Sequence, residues 1–343
     1  MAQRYSTPRH LVEALQRHDD DARAQLRELL KAPLSRLMDD LRSRFRLAHR
    51  GETLTRNALH VAETYLRTRP DASFSPLDWP AFRAAVLLHV AKLASQPQSR
   101  PSSNSRASAA LPLSPCYESR ILFLPYERVG DAWFGGDWIG GREAADGSLW
   151  VLLADITGHG YHAYLLASAL PDVWRRCWDA HPTMPVELLA KMHDLLSDCL
   201  PEGVYAECTL VCLRPEGEVV VAPAGGSRLL LVRGRFGQPT LLKLRGGWLG
   251  LIRPCADDQR TWTLQEGDQL VLATDGLFDQ LHEDRPVEVV ESLPPDGDGS
   301  DLFERVNDLL QQALKRTTQK DDITMVRILR RDRTVNGNND VPV

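Results

Sequence analysis

The chain has 343 residues, is 43% hydrophobic and 25% charged, and carries a formal net charge of −5. Its length accommodates two domains, and the apolar content is ordinary for a soluble globular protein. No run of 18 apolar residues occurs and the opening MAQRYSTPRHLVEALQRHDD lacks the apolar stretch of a secretory signal, so neither a membrane span nor export is expected and the reading is cytoplasmic.

The charge is unevenly spread. Residues 1–115 contain 18 Lys and Arg against 11 Asp and Glu, a net of +7, which leaves −12 for the remainder. Solvated helix faces account for a basic front half as simply as an acidic partner would, and no nucleic-acid partner is expected. The six cysteines contain no CxxC pair. Cys208 and Cys212 lie four apart in an apolar run of strand character, on one face, and read as core thiols rather than zinc ligands.

From Pro8 to about Ala94 the pattern is helical. Leu11, Leu15, Leu26, Leu29, Leu30, Leu34, Leu37, Leu41 and Phe45 fall largely at three- and four-residue spacings, and further helices are expected at Leu54–Leu66 and Trp79–Leu93. Residues 1–94 therefore read as a small all-α regulatory or dimerisation domain. Residues 95–115, SQPQSRPSSNSRASAALPLSP, are Ser/Pro-rich and read as a linker.

Beyond the linker, short apolar runs dominate: Ile121–Leu124, Leu149–Ala154, Thr209–Leu213, Val219–Ala222, Leu229–Val232, Thr240–Leu244, Gln269–Ala273 and Ile323–Leu329. Several are separated by only a few Gly, Pro or Glu residues, which demands antiparallel hairpins, since parallel crossovers need a dozen or more. Helical stretches interrupt them at about Tyr161–Trp178, Val186–Cys199 and Leu302–Arg316. Hairpin-rich sheet covered by helices predicts an α+β layered sandwich over residues 116–330. Residues 331–343 read as a frayed tail.

Four segments place an acidic residue at a strand end or a glycine turn: Gly135-Gly136-Asp137-Trp138, LWVLLAD ending on Asp155, QLVLATDG with Asp275, and KDDIT with Asp321 and Asp322. One such Asp is ordinary turn chemistry. If the set converges, each carboxylate pair ~4 Å apart at an effective dielectric near 20 is worth about 4 kcal/mol of repulsion, which protonation or bound cations must relieve. All-oxygen ligands select Mg²⁺ or Mn²⁺ over zinc, and two such ions suit phosphoester hydrolysis. Asp131 also follows a glycine ahead of Asp155. The spacing favours Asp137, because one strand out of the Gly-Gly turn, a hairpin around Asp146-Gly147 and the Leu149–Ala154 strand back return the chain to the same sheet edge.

In their order, Gly136-Asp137-Trp138, Asp155-Ile-Thr-Gly-His-Gly160, Ala273-Thr-Asp-Gly-Leu-Phe-Asp279 and Lys320-Asp-Asp-Ile-Thr324 resemble the PPM-type (type 2C) metal-dependent serine/threonine phosphatases. The bacterial branch of stage II sporulation protein E and the stress-response sigma-factor regulators is the most similar, with Ala224–Val232 and Gly246–Gly250 also alike. The resemblance spans about residues 117–330. It implies an αββα sandwich with two Mn²⁺ or Mg²⁺ ions at one edge. It implies metal roles for Asp137, for Asp155 as the bridging ligand with the carbonyl of Ile156 beside it, and for Asp275, Asp321 and Asp322. It further implies hydrolysis of phosphoserine or phosphothreonine on a protein partner, such as an anti-anti-sigma-like protein, with the front helices as regulator or homodimer contact.

Two departures stand out: Ala224-Gly225-Gly226 where that branch usually has Ala-Gly-His, and Thr157 where serine is more usual. His159 or His162 can serve as the acid for the leaving oxygen, with His159 the preferred choice, and Arg128 and Arg142 are the nearest basic residues for phosphate. The missing histidine keeps an alternative reading, a catalytically weak phosphatase-like domain used as a binding module. Gly158-His-Gly-Tyr-His-Ala163 also satisfies the dinucleotide fingerprint, but the acidic surroundings and the absence of a following parallel strand argue against it.

Overall fold

The computed structural model describes residues 5, 7–17, 19–45, 51–68, 111–129, 132–179, 183–197, 200, 203–234, 237–281 and 302–331. Three helices come first: α1 (Pro8–Gln16), α2 (Asp20–Phe45) and α3 (Gly51–Thr68). Thr7 caps α1 by accepting from the His10 backbone N–H at 3.3 Å, with Pro8 where a missing N–H costs nothing. Leu11, Leu15, Leu26, Leu30, Leu34 and Met38 are buried, as their helical spacing predicts. Arg23 of α2 meets Glu63 of α3 at 2.8 Å in a largely buried ion pair. The expected Trp79–Leu93 helix and residues 95–110 of the linker lie outside the described residues, as do 332–343 of the tail.

The strands are β1 (Tyr117–Leu124), β2 (Glu127–Val129), β3 (Ala132–Phe134), β4 (Asp137–Glu143), β5 (Leu149–Ile156), β6 (Ala206–Leu213), β7 (Glu218–Ala224), β8 (Arg228–Val232), β9 (Pro239–Lys243), β10 (Arg260–Thr263), β11 (Gln269–Ala273) and β12 (Ile323–Arg330). They form two five-stranded sheets, ordered β1-β12-β11-β8-β9 and β10-β7-β6-β5-β4, plus the small β2-β3 hairpin. Every named pairing is antiparallel, which removes the dinucleotide reading of Gly158–Ala163. The expected helix at Tyr161–Trp178 is two helices, Gly160–Ala167 and Leu170–Trp178, with Pro171 near the start of the second.

Strand alternation sorts the core into layers. Val151 and Leu153 of β5, Val211 of β6, Leu229 of β8, Leu272 of β11 and Val326 of β12 pack between the sheets. Leu152 and Ala154 of β5 and Leu210 of β6 face the helices Gly160–Ala167, Leu170–Trp178 and Pro185–Leu196. On the far side, Val271 and Met325 meet the helices Asp275–Leu281 and Leu302–Arg316. The result is an αββα sandwich preceded by helices. Cys208 and Cys212 are buried free thiols on the helix-facing side of β6. Leu111, the start of the described part of the expected linker, is buried in the inter-sheet core. Helix α3 packs against the helices Gly160–Ala167 and Leu170–Trp178, so the front helices rest on one outer layer.

Leu272, fully buried between the sheets, sets a test of this packing. Leu272→Ala is expected to lower the unfolding free energy by about 2–5 kcal/mol, the range for emptying a filled leucine site. Urea denaturation reads it, and a loss well under 1 kcal/mol would contradict a shared core.

Candidate active site

The layering decides where the acidic residues point. On β5, Leu149, Val151 and Leu153 face the inter-sheet space, so Asp155 continues that face at the strand's end. Asp137, the first residue of β4, lies directly across from Asp155. Residues paired in this way share a face with Cβ atoms about 5 Å apart. The hairpin reading of Asp137 thus corresponds to the observed register, while Asp131 lies outside the described residues.

Asp137 is 2% exposed and holds the two sheets together at their mouth. Its Oδ2 accepts from Thr324 Oγ1 at 2.6 Å and Thr274 Oγ1 at 3.0 Å, both from the opposite sheet. The Thr324 N–H in turn donates to Thr274 Oγ1 at 3.0 Å. Asp137 Oδ1 is buried and has no hydrogen-bond partner among the described residues.

Asp322, just before β12, is turned inward. Its Oδ1 accepts from the Tyr126 N–H and its Oδ2 from the Gly136 N–H, each at 2.6 Å. One side chain of the first sheet thereby pins the turn that delivers Asp137. Glycine is required there by close approach: a Cβ on Gly135 would collide with the Asp322 carboxylate, and one on Gly136 would stand 2.9 Å from the Ile156 carbonyl oxygen. The Ile156 carbonyl therefore lies against the same turn.

Asp275 is exposed at the first turn of Asp275–Leu281 and lines a cleft between the sheet ends together with Asp155. Asp321 is half-buried, its Oδ1 accepting from the Asp322 N–H at 2.8 Å. His159 is exposed at the N-cap of Gly160–Ala167, its ring 4.3 Å from that of Tyr126, and its charge acts favourably on the Asp321 carboxylate. Arg142 lies at the other end of β4, over Trp178 and 4.0 Å from Asp179, away from the site. The side chains of Arg128 and His162 lie outside the described residues.

The electrostatics are those of crowded like charge. Burial, and then the facing Asp322, pushes the Asp137 carboxyl well above the usual carboxylate range, against the two threonine hydrogen bonds. Burial also raises Asp155, followed by the charges of Asp137, Asp275, Asp321 and Asp322. Burial raises Asp321 as well and takes Asp322 up to about 7.

Among the described residues, no three His, Cys, Asp or Glu side chains stand in an arrangement that would itself hold a metal ion. The donor chemistry nonetheless fits a hard divalent cation. Carboxylates that raise one another's pKa, a backbone carbonyl beside them and an unpartnered buried oxygen on Asp137 form an oxygen-only set.

Sequence reasoning passed over Thr274 and Thr324, although each lies inside a motif it quoted and strand alternation puts both on the inter-sheet face. It also passed over Glu207, the polar second residue of the otherwise apolar strand β6.

A family model described as stage II sporulation protein E (SpoIIE) matches residues 145–331. The chain belongs to the SpoIIE family. No curated protein matches the chain significantly. Among solved structures, the RsbU and RsbW domains of Rv1364c from Mycobacterium tuberculosis align at 24% identity and TM-score 0.51, covering 65% of this chain and 62% of that one. The SiaA-PP2C domain of Pseudomonas aeruginosa aligns at 21% identity and TM-score 0.52, covering 62% and 85%. The PP2C phosphatase domain with a regulatory fragment of SpoIIE from Bacillus subtilis aligns at 15% identity and TM-score 0.52, covering 63% and 62%. The chain thus spans less than two thirds of the first and third of these. At such identities the likeness shows the fold, which agrees with the sandwich described above.

The raised carboxyl pKa values fix a sign for the metal-free SpoIIE-family chain. A carboxyl whose folded pKa exceeds its unfolded value of about 3.9 favours folding only while protonated. Stability is therefore lost as pH climbs from the unfolded value through the folded ones, of which Asp322 stands at about 7. In chelator, Asp155→Asn is expected to raise Tm at pH 8, with the gain shrinking towards pH 5. A gain independent of pH, read by scanning calorimetry, would contradict the repulsion.

Proposed function

We propose that the chain hydrolyses phosphoserine or phosphothreonine on a protein substrate. The observation that carries this reading is the cross-strand convergence of Asp137 and Asp155 in one sheet, at a mouth shared with Asp275, Asp321 and Asp322 from the edge of the other. SpoIIE-family membership and the likeness to PP2C phosphatase domains support it. Asp137, Asp155, the Ile156 carbonyl, Asp275 and Asp321 would hold two Mn²⁺ or Mg²⁺ ions, with Asp322 adjoining. Bound there, such ions supply an activated water and offset the charge of the phosphoryl oxygens.

The chain's own groups do the positioning. Thr274 and Thr324 fix one oxygen of Asp137 and leave the other open. Asp322 holds the Gly135-Gly136 turn against Ile156. His159, exposed at the rim, supplies the proton to the departing serine or threonine oxygen.

The protein works in the cytoplasm on a signalling partner of the anti-anti-sigma kind. Residues 1–94 would serve as a regulatory unit able to pair with a second copy, ahead of a phosphatase domain at 116–330. Among the described residues no helix is long and apolar enough to cross a membrane. A second reading, a phosphatase-like module that binds without turnover, is favoured by Gly226 standing where the resembling branch usually has histidine.

Hydrolysis of p-nitrophenyl phosphate by the full chain is expected to need Mn²⁺ or Mg²⁺ and to stop with chelator. Turnover surviving exhaustive chelation would remove the two-ion reading, and none with either ion would favour the binding module. Asp155→Asn is expected to cut kcat by several orders of magnitude and to abolish the rise in Tm that Mn²⁺ gives the wild type. Near-normal activity or an unchanged Mn²⁺ shift would count against the assignment.

A further inference from the structure

The row of paired residues does not stop at Asp155. Glu207 of β6 lies directly across from Asp155, so Asp137, Asp155 and Glu207 stand side by side on three neighbouring strands, on the face that looks into the cleft. Beyond Glu207 the row continues with Gly225 and then Gly246, bridged to each other. Neither glycine has a side chain to fill the space, and the glutamate extends into it. A Cβ on Gly225 would stand 2.8 Å from Glu207 Cγ, while one on Gly226 would have only the Glu207 carboxylate near it, at 3.8 Å or more. The pair of glycines thus makes room for the glutamate carboxylate and keeps the cleft open beside it.

Glu207 is held in place but not neutralised. Trp248 Nε1–H donates to its Oε1 at 2.9 Å. The Trp248 ring lies 5.8 Å from that of Tyr205, whose backbone is tied to Thr157 by three hydrogen bonds. Among the described residues no Lys or Arg pairs with Glu207. Arg228 lines the same cleft, yet its guanidinium lies over the Phe278 ring and 4.0 Å from Asp279, on the outer face of its sheet. The resemblance assigns no cation to Glu207 either, so it is the member of the row left with an uncompensated charge.

The turn that carries Trp248 also carries, among the described residues, the two most exposed large aliphatic side chains after Leu113. Leu251 and Ile252 are 57% and 50% exposed, and their backbone N–H groups donate to the Trp248 carbonyl. The turn is anchored behind them: Gly250 N–H donates to His193 Nδ1, and Arg253 pairs with Asp194 at 2.9 Å. An apolar step on the same turn whose Trp248 holds a negative, half-buried carboxylate is a surface for a chain that brings a cation and an apolar side chain together.

We infer that Glu207 is a specificity residue that reads a lysine or arginine flanking the phosphorylated residue of the protein substrate, with Leu251 and Ile252 receiving a neighbouring apolar side chain. This rests on the phosphatase reading above and narrows its substrate to basic phosphopeptide segments.

The test uses the full chain with Mn²⁺ and a matched set of phosphoserine peptides differing at one flanking position: Arg, Ala or Glu. The wild type is expected to favour the Arg peptide over the Ala peptide by roughly tenfold in kcat/KM, expressed in KM. Glu207→Gln, which keeps an acceptor for Trp248, should bring that ratio close to one, and Glu207→Asp should keep it above one. Glu207→Lys should reverse it in favour of the Glu peptide. Where a variant turns over too slowly, the same ratio is read as Kd on the Asp155→Asn background. A ratio that Gln and Lys leave unchanged, including an equal loss for all peptides, overturns the inference. Hydrolysis by the wild type without preference overturns it while sparing the phosphatase reading; no hydrolysis of any peptide or of p-nitrophenyl phosphate overturns both.

Discussion

Antiparallel pairing of β4 with β5 sets Asp137 across from Asp155 on the inward face, and this forced proximity of like charge governs the rest of the mouth. Two carboxylates on residues whose Cβ atoms lie about 5 Å apart, one almost wholly buried, cannot both ionise cheaply. The surrounding structure answers with donors: two threonine hydroxyls on Asp137 and two backbone N–H groups on Asp322. Those donors stabilise one oxygen of Asp137 and leave the other bare, so the repulsion is eased without being removed.

The same hydrogen bonds join fold to site. Asp137 belongs to one sheet and its threonine donors to the other, so the contact that shapes the carboxylate also closes the sandwich at that end. Asp322 works in the opposite sense, reaching from the first sheet to the turn that starts β4. A change at either aspartate therefore perturbs sheet packing together with chemistry, and activity loss alone at Asp137 would not separate the two.

Much of this was legible in the residues. Hairpin spacing announced the antiparallel sheets, the run Gln269–Ala273 matched its strand to the residue, and the hairpin count around Asp146-Gly147 set Asp137 across from Asp155. Other features depend on long-range pairing. Glu207 is one polar letter in AECTLVCL until the register sets it beside Asp155. Thr274 and Thr324 read as strand-end residues until two segments fifty positions apart meet over Asp137. Trp79–Leu93 reads as a helix from local periodicity, but it lies outside the described residues. The break after Ala167 was missed because an apolar stretch with helical spacing carries no mark of a bend beyond Pro171.

The alternation that aims Asp155 inward also restricts how such a chain can change length over evolutionary time. One residue inserted or removed within β4 or β5 would shift every later side chain to the opposite face, sending Leu153 and Asp155 to the helices and Ala154 to the cleft. Length variation between Asp137 and Asp155 is therefore confined to the Ala144–Ser148 turn, where the Ala144 N–H to Ser148 carbonyl bond closes the hairpin. Relatives that keep both aspartates should show their insertions clustered in that turn and an unbroken count of residues on either side of it.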